Sequence, residues 1–251
     1  MRVMTGLKFW QKKKKKDPRR LQLIASKTMP FRYVEAYKDL RTNLNFISAT
    51  ENASCFVVTS ALPEESKSNV SINLAVSLAS GDKKVLVVDC DLRKPALRRY
   101  LKIGGVNKGL TNILTGEKTL EECTFVSRDL NIHVITSGTV PPNPSEMLEK
   151  GMPALIAQMK EKFDYVILDA PPVSLVTDAA ILGRIADGAI LVVRSRYAPR
   201  DTIKLAKQKM EGVGVRIYGV VLTRFNEKRA HKNTGYSYSY QYSYYGENEQ
   251  Q

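Results

Sequence analysis

Cys55-Phe-Val-Val-Thr59-Ser-Ala-Leu-Pro-Glu-Glu-Ser-Lys-Ser68 runs from an apolar stretch into a polar loop. Asn69 to Ser80 follows with Val70, Leu74 and Leu78 at helical spacing. Such a pattern reads as strand, loop and helix. A loop in that position offers backbone N–H groups and the positive end of a helix dipole, and together these hold phosphate. The terminal Lys-Ser pair fits P-loop chemistry, with Lys67 reaching the β- and γ-phosphates of ATP and the Ser68 hydroxyl binding Mg²⁺. Two positions that a P-loop fills with glycine hold Ala61 and Ser66 instead. A side chain at 66 either crowds the phosphate or costs roughly 1 kcal/mol where φ is positive. Taken alone, the stretch reads equally well as an ordinary strand–loop–helix connection. The candidate nucleotide-binding residues here are Ala61, Leu62, Pro63, Glu64, Glu65, Ser66, Lys67, Ser68 and Asn69.

Two further runs point the same way. Val85-Leu-Val-Val-Asp-Cys-Asp-Leu-Arg-Lys-Pro95 is an apolar strand ending in Asp89 and Asp91, and Tyr165-Val-Ile-Leu-Asp-Ala-Pro-Pro172 is another ending in Asp169. Alternate residues of an extended chain face one side, so Asp89 and Asp91 can converge. In a parallel sheet the carboxyl ends of the strands share one edge, where such folds bind ligands. Asp169, with Ser68 and Asp91, suits a Mg²⁺ shell completed by water. Each aspartate could singly be a turn former or helix cap; three acids, a lysine and a serine at one edge make that unconvincing for the set. Arg93 is read either as a phosphate or Asp91 contact or as a surface ion pair.

Around these runs the chain alternates helix and strand. Residues 34–48 place Val34, Tyr37, Leu40, Leu44 and Ile47 at helical spacing, and further strands are read at Asn131–Ile135, Ala189–Val193 and Tyr218–Leu222. The expected fold is α/β of the P-loop NTPase kind, a mostly parallel sheet with helices on both faces. The expected domains are a basic flexible arm over 1–29, the P-loop kinase domain over 30–229 and a disordered tyrosine-rich tail over 230–251.

The net charge of +14 is uneven: residues 1–20 carry nine basic groups and one acid. Such an arm attracts polyanions, and Phe9 and Trp10 beside the lysines tilt the reading toward anionic lipid. A solvated arm is the plainer alternative. No apolar run reaches the ~18–20 residues of a membrane span, and the first residues, where Lys12 to Lys16 is followed by Asp-Pro and not by an apolar run, do not read as a secretion signal. Three cysteines without metal spacing fit buried, reduced thiols and a cytoplasmic setting. His133 and His231 have no metal-ligand neighbours and are assigned no chemistry.

The ordered set of a Walker A loop, a strand ending Asp89-x-Asp91-x-Arg93 and a strand ending Asp169-x-x-Pro172 resembles the bacterial tyrosine kinases of capsular and exopolysaccharide synthesis. The likeness covers roughly residues 30–228 and, through its tyrosines, the tail. It implies ATP and Mg²⁺ as cofactors and a separate membrane adaptor or activator of the polysaccharide chain-length or export type. It also implies a place at the inner face of the membrane and a homo-oligomer that can form a ring; no nucleic acid is expected. Glu35, Lys38 and Arg41 are similar to the family's helical Glu-x-x-Arg-x-x-Arg subunit contact, with lysine in place of one arginine. Lysine lacks the bidentate fork. Ser137-Gly-Thr-Val-Pro-Pro-Asn-Pro-Ser-Glu-Met-Leu148 also resembles the family. Relatives place adenine contacts after the last strand, near Thr223, Arg224 and Asn226, but the residues here are not diagnostic. The division-site and partitioning ATPases of the same class carry a signature lysine where this chain has Leu62, and they lack a tyrosine-rich tail.

That tail reads Gly235-Tyr-Ser-Tyr-Ser-Tyr-Gln-Tyr-Ser-Tyr-Tyr-Gly246 and holds half of the twelve tyrosines: Tyr236, Tyr238, Tyr240, Tyr242, Tyr244 and Tyr245. No apolar residues alternate with them to pack a strand, so a phosphate-accepting segment fits better than an aggregation-prone one. A tyrosine hydroxyl with a pKa near ~10 needs a base. Asp89 is assigned that role, with Asp91 on the metal or its waters and Lys67 on the transferred phosphoryl group. Transfer onto a neighbour's tail is the expectation. An ATP-hydrolysing localisation switch and a degenerate scaffold with a spoiled phosphate loop are the alternatives.

Overall fold

The computed structural model describes residues 21–26, 28–105 and 107–225. The basic run of residues 1–20, Asn226 and the six tail tyrosines lie outside the described residues. In chain order the elements are α1 (Phe31–Glu51), β1 (Cys55–Ser60), α2 (Lys67–Ala79), β2 (Val85–Asp89), α3 (Leu97–Tyr100), α4 (Leu110–Leu114), α5 (Leu120–Cys123), β3 (Thr124–Ser127), β4 (Ile132–Ile135), α6 (Pro144–Lys162), β5 (Tyr165–Asp169), α7 (Asp178–Ile185), β6 (Gly188–Arg194), α8 (Arg200–Glu211) and β7 (Ile217–Thr223). They build one seven-stranded sheet in the order β3-β4-β2-β5-β1-β6-β7. Every pairing is parallel except β3 with β4.

The central strands are buried on both faces, as their unbroken apolar runs require. Alternation divides each between two cores. Val57, Leu86, Val88, Val166 and Leu168 face α6, α7 and α8, whereas Phe56, Val58, Val85, Val87, Tyr165 and Ile167 face α1 and α2. The same alternation sends Asp89 and Asp169, last residues of β2 and β5, to the α2 face. Helix α2 lies between the sheet and α1, and its residues from Val70 to Ala79 are all buried. Such a helix must be apolar nearly all round. Its few polar side chains find partners: Ser71 Oγ donates to Asp169, Ser77 Oγ to the Tyr37 carbonyl, and Asn73 Nδ2 to the Gln22 carbonyl.

That last bond ties down a segment read as part of the arm. Asn73 Oδ1 also accepts the Ile24 N–H at 2.9 Å, and Leu21, Leu23 and Ile24 pack on the core beside α1. From Leu21 onward the chain is docked, because this segment gives buried Asn73 the N–H donor for its Oδ1 and a short acceptor for its Nδ2, which otherwise reaches Asn69 Oδ1 and the Tyr33 hydroxyl.

Two expectations shift in detail. Helix α2 begins at Lys67, two residues earlier than its apolar periodicity suggests. The strand read from Asn131 begins at Ile132, since Asn131 turns with φ 52° between β3 and β4. β3 and the short helices α3 to α5 carry too few residues for a periodic signal. All three cysteines are buried and unbonded. No helix among the described residues is long and apolar enough to cross a membrane.

Candidate active site

β1 ends at Ser60 and α2 starts at Lys67, so the intervening six residues form the loop at the sheet's carboxyl edge. Glu64 and Ser66 both take positive φ, 62° and 74°, which coils the loop back toward α2. Glycine normally supplies such angles at no steric cost. Ser66 therefore meets the second of its two anticipated costs, backbone strain, and its side chain makes no capping bond in return.

Glu65 holds this loop in shape, and sequence reasoning gave no hint of its burial. Its carboxylate is fully buried and accepts the Leu62 N–H at 2.7 Å and the Arg194 N–H at 3.1 Å. Its carbonyl accepts the Thr223 hydroxyl at 3.0 Å. One residue thus fastens the phosphate loop to the ends of β6 and β7. Thr59 adds a bond to the Pro171 carbonyl beyond β5. Thr223, considered near an adenine pocket, serves this brace. A buried glutamate in a polar loop becomes legible only once β6 and β7 are seen beside it.

Lys67 Nζ points to Asp91 Oδ2 at 3.1 Å, with side chains 13% and 8% exposed. Burial works against the ammonium, but the charges of Asp169, Asp91 and Asp89 outweigh it and its pKa is raised. Asp89 and Asp169 are register partners on neighbouring strands. Burial and the charge of Asp169 push Asp89 up to about 7, against the pull of the Leu97 and Ala96 amides and Lys67. Asp169 is also raised, by burial first, while Lys67, Ser68 and Ser71 favour its ionised form. Lys67, Ser68, Asp89, Asp91 and Asp169 therefore meet at one place.

Their free valences are informative. Asp89 Oδ2 accepts the amides of Ala96 and Leu97, at 3.0 and 2.9 Å, but its Oδ1 is buried without a partner; so is Asp169 Oδ2. Buried polar atoms are nearly always bonded, so two orphaned carboxylate oxygens beside a phosphate-type loop mark a place for a cation or a donor. Among the described residues no three metal-ligating side chains cluster as a cage. Mg²⁺ needs none, because it keeps waters and substrate phosphates and takes one or two protein oxygens. Ser68, Asp91 and Asp169 fit that role.

Arg93 stands apart from the loop. Its Nε donates to buried Asp178 at 3.1 Å, and its Nη2 donates to the Ser145 hydroxyl. Ser145, in the first turn of α6, donates to Asp178 as well. Of its anticipated roles, the arginine takes the ion pair, staking the loop after β2 to α6 and α7. Glu35, Lys38 and Arg41 lie on α1. Glu35 and Lys38 pair with each other at 2.6 Å, and Arg41 donates to the Ser77 carbonyl on α2.

Comparison with known proteins adds family to geometry. Residues 65–210 match the family described as AAA domain. The chain is 36% identical over 205 residues to the tyrosine-protein kinase YwqD of Bacillus subtilis, covering 81% of this chain and 85% of that one. It is 37% identical to the tyrosine-protein kinase CpsD of Streptococcus agalactiae, covering 84% and 91%. Among solved structures, the kinase domain of the Escherichia coli tyrosine kinase ETK superposes with a TM-score of 0.72 at 34% identity, covering 82% of this chain and 80% of that one.

Proposed function

The chain belongs to the bacterial tyrosine-kinase family and is a protein-tyrosine kinase, and from that premise we propose that it transfers phosphate from ATP to its own C-terminal tyrosines. The observation that carries this reading is the pair of orphaned oxygens, Asp89 Oδ1 and Asp169 Oδ2, buried beside Lys67 and the phosphate loop. The loop from Ala61 to Ser66, through those of its N–H groups that Glu65 does not take, holds the triphosphate together with Lys67 and Ser68. Ser68, Asp91 and Asp169 hold Mg²⁺, which when bound offsets charge on the phosphates.

Asp89 is the base. One of its oxygens is fixed by two amides, so the other is aimed while still free to take a proton. In the step, the tyrosine oxygen bonds to the γ-phosphorus as the bond to the β–γ bridging oxygen breaks. The tyrosine proton passes to Asp89 Oδ1, and ADP leaves. A base with a pKa of about 7 is matched to neutral pH. Lys67 opposes charge on the transferred group throughout.

The acceptors are Tyr236, Tyr238, Tyr240, Tyr242, Tyr244 and Tyr245, on the tail of a neighbouring subunit. Each phosphate adds about −1.5 to −2 charge. The kinase domain runs to about residue 229 and takes in the docked residues from Leu21, and the tail runs from 230. Glu35, Lys38 and Arg41 on α1 are offered to a homo-oligomeric contact. The basic run of residues 1–20 suits the inner face of the cell membrane, beside an adaptor of the polysaccharide chain-length or export type. Capsule or exopolysaccharide synthesis is the process so regulated. Intact-mass measurement tests the core of this: protein incubated with Mg·ATP gains phosphate on its tail, and Lys67→Met and Asp89→Asn proteins do not. Tail labelling in both folded variants overturns the assignment. Mixing an intact Lys67→Met chain with an active tailless one labels the intact chain if transfer is between molecules.

A further inference from the structure

Beyond the transfer site the sheet edge carries a second feature. A cleft of about 630 Å³ opens between α3 and the segment following β4, lined by Pro95, Arg98, Arg99, Lys102, Ser137 and Gly138 among others. A volume of this order suits a small ligand or a side chain and its neighbours. Three cations converge on it because the chain turns back after α3: Lys102 takes φ 53°, and the Ile103 N–H bonds to the Arg98 carbonyl. Among the described residues none of the three pairs with a carboxylate. Arg98 donates to the Asn107 amide oxygen and the Gly105 carbonyl, and Arg99 lies over the Tyr100 ring. Three cations lining one cleft without a counter-charge give it a positive potential that suits an anion.

The cleft adjoins the transfer site. Its wall is α3, whose Leu97 N–H holds Asp89 Oδ2, and Arg98 is the next residue. Its opposite wall leaves the carboxyl end of β4, the strand paired with β2. We propose that this cleft binds phosphotyrosine, and that it holds a tail already phosphorylated once while a nearby tyrosine is presented to Asp89. The proposal rests on the reading of the tail as acceptor. Its chemistry follows from the product of a tyrosine kinase, a dianionic aryl phosphate that guanidinium and ammonium groups recognise through charge-assisted bonds. The spacing follows from the sequence of the tail: tyrosines stand at every second position from Tyr236 to Tyr244, and a segment held extended in the cleft would present such residues on one side, roughly 6–7 Å apart. Each transfer then creates the ligand that positions the next.

The test uses the dephosphorylated full chain with Mg·ADP, so that no transfer occurs. Labelled peptides of residues 235–246, one phosphorylated at Tyr240 and one not, are titrated by fluorescence anisotropy. The phosphorylated peptide binds about tenfold more tightly at low salt, the difference shrinks as salt rises, and it vanishes in Arg98→Gln/Lys102→Gln protein. The single Lys102→Gln change, at an exposed side chain, halves it or more and guards against a misfolded double variant. With Mg·ATP, intact masses of the wild type climb to several phosphates, whereas the double variant accumulates the singly phosphorylated form. Equal binding of the two peptides, or a preference that survives both substitutions, overturns the proposal. So does binding of phosphatidylglycerol vesicles that depends on Arg98 and Lys102 while the peptide preference does not. A labelled tail without peptide preference removes the cleft alone. A preference without tail labelling keeps the phosphotyrosine site and removes the tail as its source.

Discussion

Replacing Ser66 by glycine stabilises the fold, and the amount follows from one backbone angle. Ser66 sits at φ 74° with its hydroxyl in no capping bond. A left-handed conformation costs an L-residue about 1–2 kcal/mol, and glycine returns about 0.5–1 kcal/mol of that through the greater freedom of its unfolded chain. The net gain is about 0.5–1 kcal/mol. For a domain of this size that corresponds to a rise in Tm of about 1–4 °C, or a urea midpoint higher by about 0.2–0.3 M with an unchanged slope. Ser66→Ala is the control, because it removes the hydroxyl but keeps the Cβ, and its stability stays within about 0.5 kcal/mol of the wild type. Calorimetry with Mg·ADP then separates strain from crowding. Strain is present with and without nucleotide and leaves Kd unchanged; a Cβ against the phosphate makes Ser66→Gly bind more tightly and Ser66→Ala no differently. A Tm for Ser66→Gly below that of the wild type refutes the reasoning, for it means that the serine contributes something the angle does not reveal.

Asp89→Asn removes transfer, by about 10²–10⁴-fold, yet raises stability at pH 8 by about 1–2 kcal/mol, since its amide oxygen still caps Ala96 and Leu97 and a buried charge is gone; a destabilised variant in chemical denaturation contradicts this. Because Asp89 is raised to about 7 in the fold from a value near ~4 unfolded, the folded state holds its proton longer. Its contribution to stability therefore falls as pH climbs from ~4 to about 7 and is level above that, while kcat/KM rises through the same upper limit as the base ionises. An activity profile flat from pH 6 to 8 removes Asp89 as base. Glu65→Ala leaves the Leu62 and Arg194 amides unpaired in a buried place, costing about 2–4 kcal/mol and weakening Mg·ADP; Glu65→Gln keeps one acceptor and costs less, and equal losses in the two variants count against the brace.

The sequence by itself determined which polar residues gather at the carboxyl edge of the sheet. Asp89 and Asp169 are legible because each ends an apolar run, with Asp91 two residues on, and Lys67 and Ser68 because they stand where the loop after such a run opens a helix; parallel strands bring these ends to one edge whatever the loops do. The β/α alternation was legible for the same reason: a strand buried on both faces leaves an unbroken apolar signature. Only the tertiary structure decided what each polar side chain does when its partner lies far along the chain. Glu65 is a brace because Arg194 and Thr223 arrive beside it, Arg93 turns to Asp178 rather than the loop, and residues 21–24 are docked because Asn73 is buried. A hydrogen bond forms between neighbours in space, and linear order carries no record of that distance.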